Sequence, residues 1–552
     1  MRRTLALAAL VVLASAPSRA AEAETADLVI RGARVITMSG EAGVTAVAVR
    51  GDRIVYAGDD AGAREWIDAH TRVIDATGCT VTPGLVDAHG HLHNLGRILT
   101  EPNLIGTKSI DEVIARVREF QPGLGKDDWL HGRGWDQNDW TRQEFPTWRD
   151  LEPVNGNPVY LERVDGHALW VNRRALEIAG ITRATPDPPG GRIIRDEHGE
   201  PTGIFVDNAE DLVESRVAPA SAEILDRRLA AAVAECNRVG LTGVHDAGTT
   251  RPVLDALRRL GRRGGLTLTI YSMIDSGDEA LARERLAAGP AQEFDGRLVM
   301  RCLKLRADGA LGSRGARLLA PYRDDPGNAG LDVQSRDALL GWTQDALRAG
   351  FQVGTHAIGD RGNRVTLDVY EQALAGRKDA RLRVEHCQIL DPADISRFAA
   401  LGVVASMQPT HATSDMPWAE TRLGAERMQG AYAWRTLLDS GAVLAFGSDF
   451  PVESVDPLTG LHAAVTRQDA DGNPPGGWRP QERLTLDQAL RGYTTGAAYA
   501  AFDEKDAGVI RAGMRADLTV FDRDITAAAP RAILDAHAKY TIVRGRVVYE
   551  RP

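Results

Sequence analysis

Val81-Thr82-Pro83-Gly84-Leu85-Val86-Asp87-Ala88-His89-Gly90-His91 is the stretch from which the fold can be inferred. A short apolar strand ends there in two histidines that are one residue apart. Residues i and i+2 of an extended strand point to the same side, so His89 and His91 can reach one metal ion together. Imidazole is a common zinc ligand. A lone His-x-His is weak evidence, however, because two incidental surface histidines give the same pattern.

The size and composition of the chain are those of an ordinary soluble protein with one large domain and additions to it. The chain has 552 residues, of which 43% are hydrophobic and 26% are charged, and its formal net charge is −10. A nucleic-acid partner is not expected, because a phosphate backbone requires a basic protein face. The sequence does not decide the oligomeric state, so a homo-oligomer stays open.

The N-terminus has the pattern of a secretory signal peptide, which we predict at residues 1–20. Arg2 and Arg3 give the positive start, residues 5–14 the apolar core, and Ser18-Arg19-Ala20 the cleavage site. The alternative is a buried first helix. The apolar run is too short for a permanent membrane span. A lipid anchor is not expected either, because no cysteine lies near the predicted cleavage site. We therefore expect a protein exported to the bacterial periplasm or secreted; the two arginines do not decide the export route.

Four cysteines in an exported protein could form disulfides. Cys79, Cys302 and Cys387 lie in or beside apolar strands, and Cys236 lies on a helical segment. These positions favour buried free thiols, so we expect no disulfide framework.

Strands and helices alternate through residues 83–507. Strands are predicted at 83–87, 241–245, 266–271, 298–305, 352–355, 382–385, 403–406 and 443–446. Eight strands with intervening helices predict an α/β fold, a (β/α)8 TIM barrel, with its active site at the carboxyl ends of the strands. The alternative is an open doubly wound sheet, but no glycine-rich dinucleotide loop follows the first strand.

Both ends of the chain have a different pattern. Residues 24–82 and 508–552 alternate apolar and polar positions, with Gly-Asp-type turns between the strands. Each segment alone is too small for a convincing domain. We therefore predict that the two ends pair into one β-sandwich.

Residues 97–226 interrupt the alternation between the first and second barrel strands. The segment is too long for an ordinary loop and predicts an inserted, lid-like subdomain. In one interpretation its tryptophans form the core of the insert; in the other they line an apolar pocket, so that substrates with apolar or aromatic groups are preferred. These tryptophans are Trp129, Trp135, Trp140, Trp148 and Trp170.

Metal-ligand residue types recur at the predicted strand ends. They are Asp87, His89, His91, Lys304, His356, His386 and Asp449. Each has an ordinary explanation alone: His386 could be a satisfied core histidine, and Asp449 could cap a helix. Their coincidence on the first, fifth, sixth and eighth strands is much harder to explain without a metal site.

This pattern resembles the amidohydrolase superfamily, in particular its YtcJ-like and N-substituted formamide deformylase-like branch, over essentially the whole mature chain. The motifs that carry the resemblance are Pro83 to His91, Leu303-Lys304-Leu-Arg-Ala-Asp308-Gly309, His356-Ala-Ile-Gly-Asp360, Glu385-His386-Cys-Gln, Gly447-Ser-Asp449, Gly513-Met-Arg-Ala516-Asp517 and Arg163-Val-Asp165-Gly166-His167. They are specific for the fold and the metal chemistry, and much less so for the substrate.

The resemblance implies two divalent ions, with zinc as the expected metal. One ion would be held by His89, His91 and Asp449, and the other by His356 and His386. Lys304 would bridge them after carboxylation by carbon dioxide, because an ammonium cannot ligate a cation. Otherwise Lys304 serves as a positive charge for the substrate or in a buried ion pair. His93 is in register with His89 and His91; the family motif, not the spacing, favours the latter two.

Such a centre suits amide hydrolysis. Two cations about 3.5–4 Å apart lower the pKa of a shared water, and the resulting bridging hydroxide attacks a polarised carbonyl. Asp449 can take the proton and deliver it to the leaving nitrogen. The leading interpretation is therefore an exported amidohydrolase that cleaves a non-peptide C–N bond, amide or formamide, of a small molecule.

Two further hypotheses stay open. An esterase or lactonase would use the same site, and matched amide and ester substrates would separate the two. A binding protein without catalysis would not need the proton shuttle.

Five other residues are candidates for contact with the substrate. His167 could reach over the site from the insert and act in catalysis, and His411 follows the seventh strand. Asp308, Arg314 and Asp360 follow strand ends and either contact the substrate or tie loops together.

Overall fold

The computed structural model describes residues 25–121, 125, 128–217, 219–526 and 530–552. The predicted signal peptide, residues 1–20, lies outside the described residues. Within them, no helix has the length and apolar character needed to cross a membrane.

The N-terminal segment forms most of the first sheet of a β-sandwich. Its elements are β1 (Leu28–Arg31), β2 (Arg34–Val35), β3 (Ala46–Arg50), β4 (Arg53–Gly58), α1 (Asp60–Ala63), β5 (Arg72–Asp75) and β6 (Thr80–Pro83). Four of these strands form a sheet in the order β4-β3-β1-β5. The remaining two, β2 and β6, pair in parallel and belong to the second sheet.

The first barrel strand is followed by the insert. The barrel begins with β7 (Leu85–Gly90) and α2 (Leu92–Ile98), and the insert contains α3 (Ile110–Phe120), β8 (Leu130–Trp135), β9 (Val159–Arg163), β10 (Ala168–Val171), α4 (Arg173–Ala179), β11 (Gly191–Arg195), β12 (Pro201–Asp207) and α5 (Asp211–Glu214). The five strands of the insert form their own sheet in the order β11-β12-β10-β9-β8.

The remaining barrel strands alternate with helices. The elements are α6 (Ala222–Arg238), β13 (Leu241–Thr249), α7 (Arg251–Arg262), β14 (Thr269–Asp275), α8 (Glu279–Ala288), β15 (Ala291–Glu293), β16 (Leu298–Arg306), α9 (Arg336–Arg348), β17 (Gln352–Ala357), α10 (Asp360–Leu374), β18 (Arg383–His386), α11 (Pro392–Leu401), β19 (Val404–Met407), α12 (Pro409–Asp415), α13 (Ala419–Leu423), α14 (Trp434–Asp439), β20 (Val443–Phe446), α15 (Pro457–Thr466), α16 (Leu486–Tyr493) and α17 (Thr495–Ala500). Short β15 pairs antiparallel with β16, outside the barrel order.

Eight parallel strands follow the order β7-β13-β14-β16-β17-β18-β19-β20. The two end strands meet at their carboxyl ends, where the Asp449 N–H donates to the His89 carbonyl at 2.7 Å and the His91 N–H donates to the Phe450 carbonyl at 2.9 Å. The predicted TIM barrel is therefore confirmed, and the open sheet is excluded. The third strand begins at Thr269, later than predicted. Leu266 and Leu268 of the preceding connection are buried, and their apolar pattern resembles that of a strand.

The C-terminal segment completes the β-sandwich. Its elements are β21 (Leu518–Phe521), α18 (Arg531–Leu534), β22 (Ala538–Val543) and β23 (Arg546–Glu550), and the second sheet has the order β2-β6-β21-β22-β23. Residues of both ends share one hydrophobic core, for example Ile30, Val47 and Leu518. The predicted sandwich from both chain ends is confirmed, whereas the exact domain limits stay predictions.

The four cysteines are all buried and free, as expected. Local signals set the ends of the helices around the barrel. For example, the Ser221 hydroxyl accepts a hydrogen bond from the Ile224 N–H at the start of α6, and Gly402 ends α11 in the left-handed conformation. These helices cover the outside of the barrel and leave its carboxyl end to the loops.

Candidate metal centre and active-site cavity

The predicted metal ligands meet at the carboxyl end of the barrel. His89 and His386 lie at the ends of β7 and β18, Lys304 and His356 lie in β16 and β17, and Asp449 follows β20. All five are buried, and with His91 they line a cavity of about 490 Å³. This is the end of a TIM barrel at which active sites lie.

Short distances connect these side chains. His89 Nε2 lies 3.5 Å from Asp449 Oδ1 and 3.3 Å from Lys304 Nζ, and His91 Nε2 lies 3.0 Å from Asp449 Oδ1. The rings of His356 and His386 are 4.6 Å apart between centroids. Side chains from five strands thus surround one small volume.

His386 lies closer to the first predicted ligand set than the sequence indicated. Ligand atoms of His89, His386 and Asp449 all lie within 4.8 Å of one another, although the resemblance assigns His386 to the other ion. Two ions about 3.5–4 Å apart would occupy the same volume. The assignment of each ligand to one ion therefore stays a prediction.

Hydrogen bonds orient the two histidines that end strands. His89 Nδ1 lies 2.6 Å from Glu385 Oε2, and His386 Nδ1 lies 2.9 Å from Gln408 Oε1. Glu385 is itself held by Arg383, whose Nε donates to Oε1 at 2.8 Å. These contacts use Nδ1 and leave Nε2 of each ring for a ligand, as is usual around metal-binding histidines.

Two of the predicted ligands have strained backbone conformations. His386 has a φ of 78° and Asp449 a φ of 60°, in the left-handed region that residues other than glycine seldom adopt. Such strain costs about 1–3 kcal/mol per residue and concentrates at functional sites. Both residues lie at strand ends and line the cavity.

The chemistry of the donor set fits divalent ions. Asp449 Oδ1 is buried, and no donor among the described residues is aligned to hydrogen-bond it, although His91 Nε2 is near. Burial raises the pKa of this carboxyl, but His91, His89 and His411 outweigh burial and hold it below its usual range. Burial also lowers the pKa of His89, His356 and His386 far below the usual value, so they are neutral ligands. Nitrogen and oxygen donors of this kind suit zinc.

Lys304 has the environment that carboxylation requires. Its burial lowers its pKa to about 8, and carbon dioxide reacts only with the neutral amine. At pH 7 about a tenth of such a lysine is neutral, against roughly three in ten thousand at the ordinary pKa. The burial of Lys304 therefore favours the predicted modification.

His167 reaches the metal centre from the insert. Its ring lies 5.0 Å from the His356 ring between centroids, and its Nδ1 lies 2.6 Å from Asp207 Oδ1. Burial lowers the pKa of His167, but the hydrogen bond with Asp207 and the negative charges of Asp207 and Asp165 together outweigh burial and raise it. Glycine is required at position 309, because a Cβ there would lie 2.4 Å from Asp207 Oδ2. Asp207 was missed in the sequence because nothing local marks it.

We expect His167→Ala to lower kcat/KM by roughly 10²-fold, the size of loss when one preorganised donor is removed. Metal content should not change, because His167 is not one of the predicted ligands and its hydrogen bond is with Asp207. Steady-state kinetics and elemental analysis of the same samples check both statements. His198→Ala is the control, since that insert histidine is exposed. Unchanged kinetics would make His167 an ordinary loop residue.

His411 faces the cavity from α12. Its Nε2 lies 3.8 Å from Asp449 Oδ2, and this buried nitrogen has no hydrogen-bond partner among the described residues. A role for His411 in substrate contact stays a prediction.

Three residues for which we predicted substrate contact are not among the described residues that line the cavity, and their contact with the substrate stays a prediction: Asp308, Arg314 and Asp360. The Asp308 carboxylate accepts hydrogen bonds from the backbone N–H groups of Arg317, Ile358 and Gly359. Asp360 accepts one from the Leu319 N–H, and Arg314 pairs with Asp324. These contacts favour the alternative that they tie loops together, since buried backbone N–H groups need acceptors.

The tryptophans of the insert pack in its own cores, which is the first of the two interpretations. Trp135 and Trp170 are fully buried and Trp140 nearly so, in one core of the insert, and Trp129 and Trp148 pack on a second core. None of the five is among the described residues that line the cavity. The insert contributes polar side chains to the cavity instead: Arg133, Asp136, Asp139, Arg163, Asp165 and His167. The predicted preference for apolar substrates therefore loses its basis.

Comparison with known proteins agrees with this geometry. A family model described as "Amidohydrolase family" matches residues 72–549. The chain is 36% identical to the putative amidohydrolase YtcJ of Bacillus subtilis (strain 168), over 87% of this chain and 91% of that protein. It is 30% identical to N-substituted formamide deformylase of Arthrobacter pascens, over 87% of this chain and 90% of that protein.

A solved structure shows the same likeness in three dimensions. The crystal structure of an uncharacterized metal-dependent hydrolase from Pyrococcus horikoshii superimposes with a TM-score of 0.73 at 28% sequence identity, covering 91% of this chain and 98% of that one. The family match covers most of the chain, and the predicted resemblance is confirmed. The chain therefore belongs to the amidohydrolase family, metal-dependent hydrolases that act on carbon–nitrogen bonds.

Proposed function

We propose that this protein hydrolyses a non-peptide amide or formamide bond of a small molecule at a centre of two divalent ions. One observation carries the proposal: four imidazoles, a lysine and a carboxylate from five separate strands meet at one end of the barrel, where the buried Oδ1 of Asp449 accepts no hydrogen bond from the described residues. A related protein is named N-substituted formamide deformylase, which supports a formamide or similar amide as the substrate class.

His89, His91 and Asp449 would hold one ion, His356 and His386 the other, and Lys304, carboxylated by carbon dioxide, would join the two sets. Zinc is the metal we propose, because the donors are nitrogen and oxygen atoms. When bound, the ions would supply an activated water and a polarised carbonyl. The neutral imidazoles and the deprotonated carboxylate described above are already in the states that ligation needs.

The two oxygens of Asp449 have different surroundings, which suits a double function. Oδ1 faces His89 and His91 on the ligand side, whereas Oδ2 lies 3.8 Å from His411 Nε2. We assign ligation to Oδ1 and proton transfer to Oδ2. The carboxylate would take a proton from the attacking water and pass it to the leaving nitrogen, which is a poor leaving group until protonated.

His167 would hold the substrate from the side of the insert. Its Nδ1–H donates to Asp207, so the ring is fixed, and its raised pKa favours a proton on Nε2 as well. A protonated imidazole in the cavity wall can donate a hydrogen bond to the substrate oxygen as negative charge develops there.

Matched amide and ester substrates test the reaction class. We expect the metal-loaded mature protein to hydrolyse N-substituted formamides, with a larger rate enhancement over the uncatalysed reaction than for formate esters of the same alkyl group. A larger enhancement on the esters would instead identify an esterase or lactonase. Absence of turnover on both series, with the metal bound, would favour the binding protein.

Export is part of the same proposal and rests on residues 1–20 alone. Expression of the full chain in a bacterium should give mature protein in the periplasm or medium, and N-terminal sequencing should find the start just after Ala20.

A further inference from the structure

The arginines of the cavity wall are all neutralised by carboxylates of the described chain. The pairs are Arg133 with Glu162, Arg163 with Asp136 and Asp165, and Arg306 with Asp275. Lys304 also lines the wall but belongs to the metal centre, and His167 is paired with Asp207. The wall therefore offers no unpaired arginine to an anionic substrate.

Two carboxylates of the wall, in contrast, have no cationic partner in the described part of the chain. These two carboxylates are Asp415 and Glu453, which together we call the acidic wall. No lysine, arginine or histidine nitrogen of the described residues lies within 4.0 Å of either carboxylate. Two further carboxylates that line the cavity, Asp139 and Asp246, do have partners. Asp139 lies 3.7 Å from Lys108 Nζ, and both oxygens of Asp246 accept hydrogen bonds.

In each carboxylate of the acidic wall, only one of the two oxygens accepts a hydrogen bond from the described residues. Asp415 Oδ2 accepts hydrogen bonds from Tyr432 Oη at 2.6 Å and Gln388 Nε2 at 2.5 Å. Glu453 Oε1 accepts one from Ser414 Oγ at 2.6 Å. Asp415 Oδ1 and Glu453 Oε2 accept none from the described residues, so two fixed carboxylates each keep one oxygen for a ligand.

A second observation points to a ligand in the same part of the cavity. His411 lies one helical turn before Asp415 on α12, is only 8% exposed, and lines the cavity. Its buried Nε2 lies 3.8 Å from Asp449 Oδ2 and has no hydrogen-bond partner among the described residues. Trp418, just beyond α12, also lines the cavity and provides apolar surface for a carbon chain. Buried polar atoms without partners are rare in folded proteins unless a ligand or water completes them.

Burial makes the acidic wall costly without a cation. It raises the pKa of Glu453 to about 8 and that of Asp415 to about 7. An opposite charge within a few ångströms would favour the ionised carboxylates again. A neutral or anionic ligand would give no such compensation.

We propose that the substrate carries a cationic amine on its non-reacting part, bound by Asp415 Oδ1 and Glu453 Oε2 while the scissile bond lies at the metal centre. The position of the scissile bond rests on the proposed function. The recognition of the cation does not, because it depends only on the acidic wall.

Matched substrates test the proposal. We compare N-(aminoalkyl)formamides over a range of chain lengths with N-alkylformamides in which a methyl group replaces the ammonium. At one or more lengths kcat/KM should be at least roughly 10-fold higher for the amine, the effect of a charge-assisted hydrogen bond. In the Asp415→Asn, Glu453→Gln double variant this ratio should fall toward one. Glu420→Gln, an exposed carboxylate outside the cavity, should retain the wild-type ratio.

A binding measurement separates this inference from the proposed reaction. By calorimetry on metal-loaded protein, alkylamines should bind at least about 10-fold more tightly than the corresponding alcohols, and the double variant should lose the difference. If amines bind this way but no formamide is hydrolysed, the proposed function fails and the cation site stands. Equal binding of amines and alcohols, or a difference that survives in the double variant, would overturn the cation site.

Discussion

Asp449→Asn is expected to lower kcat by roughly 10²–10⁴-fold, the contribution of a general acid–base group. The asparagine keeps the size and one ligand oxygen, so metal should be partly retained, but the amide cannot accept the proton of the attacking water. The unfavourable backbone conformation at this position, with a φ of 60°, is one that asparagine tolerates. A folding defect is therefore not the expected cause of the loss.

Single-turnover and steady-state kinetics, with metal content measured on the same samples, separate the two functions of Asp449. Asp439→Asn is the matched control, because Asp439 is exposed at the end of α14, shortly before the same strand. Near-normal turnover in Asp449→Asn with metal bound would place the proton transfer elsewhere, and His411 would be the first residue to examine.

Lys304→Ala is expected to reduce activity to the level of the metal-free protein and to lower the metal content. The substitution removes the only amine of the described site that could be carboxylated to join the two ligand sets. Because Lys304 is 2% exposed, its truncation leaves a buried space beside His89. A small carboxylic acid such as acetate could enter this space and replace the missing oxygen ligands.

Acetate should therefore restore part of the activity and metal content of Lys304→Ala. Lys304→Met is the control, since its side chain fills the same space without an amine and leaves no room for acetate. Full activity in either variant without added acid would show that the reaction does not need a carboxylated Lys304. Intact mass of the active wild-type protein should include the mass of one carboxylate on Lys304.

The barrel and its ligands were predictable because each signal is local. The alternation of apolar strands and helices sets the eight strands, and the strand-end position of His89, His386 and Asp449 brings them to one end by topology alone. The β-sandwich needed only the same alternation at both chain ends. The third strand begins a few residues later than predicted, because buried leucines in a connection have the same apolar pattern as a strand.

Residues that support the ligands were not predictable in this way. Glu385, Gln408 and Asp207 contact His89, His386 and His167 across gaps of many residues. Glu385 belongs to the Glu385-His386-Cys-Gln motif, but its contact with His89 depends on which face of β18 its side chain occupies. A position one residue from a ligand on a strand points to the other side of the sheet. Here the Glu385 carboxylate nevertheless reaches His89 on β7, a strand that does not pair with β18.

The insert shows where composition alone misleads. A group of tryptophans predicts apolar surface, but not whether that surface faces a core or a cavity. Trp135 and Trp170 make edge-to-face ring contacts inside the insert, and aromatic pairs of this kind are typical of cores. The charged segment that includes Arg163 and His167 faces the substrate instead.

Metal stoichiometry tests the central claim most directly. The mature protein, purified without chelator and with carbonate present, should contain about two divalent ions per chain by elemental analysis. Removal of the ions should abolish hydrolysis, and their return should restore it. Full hydrolytic activity in protein shown to contain no divalent metal would contradict the account.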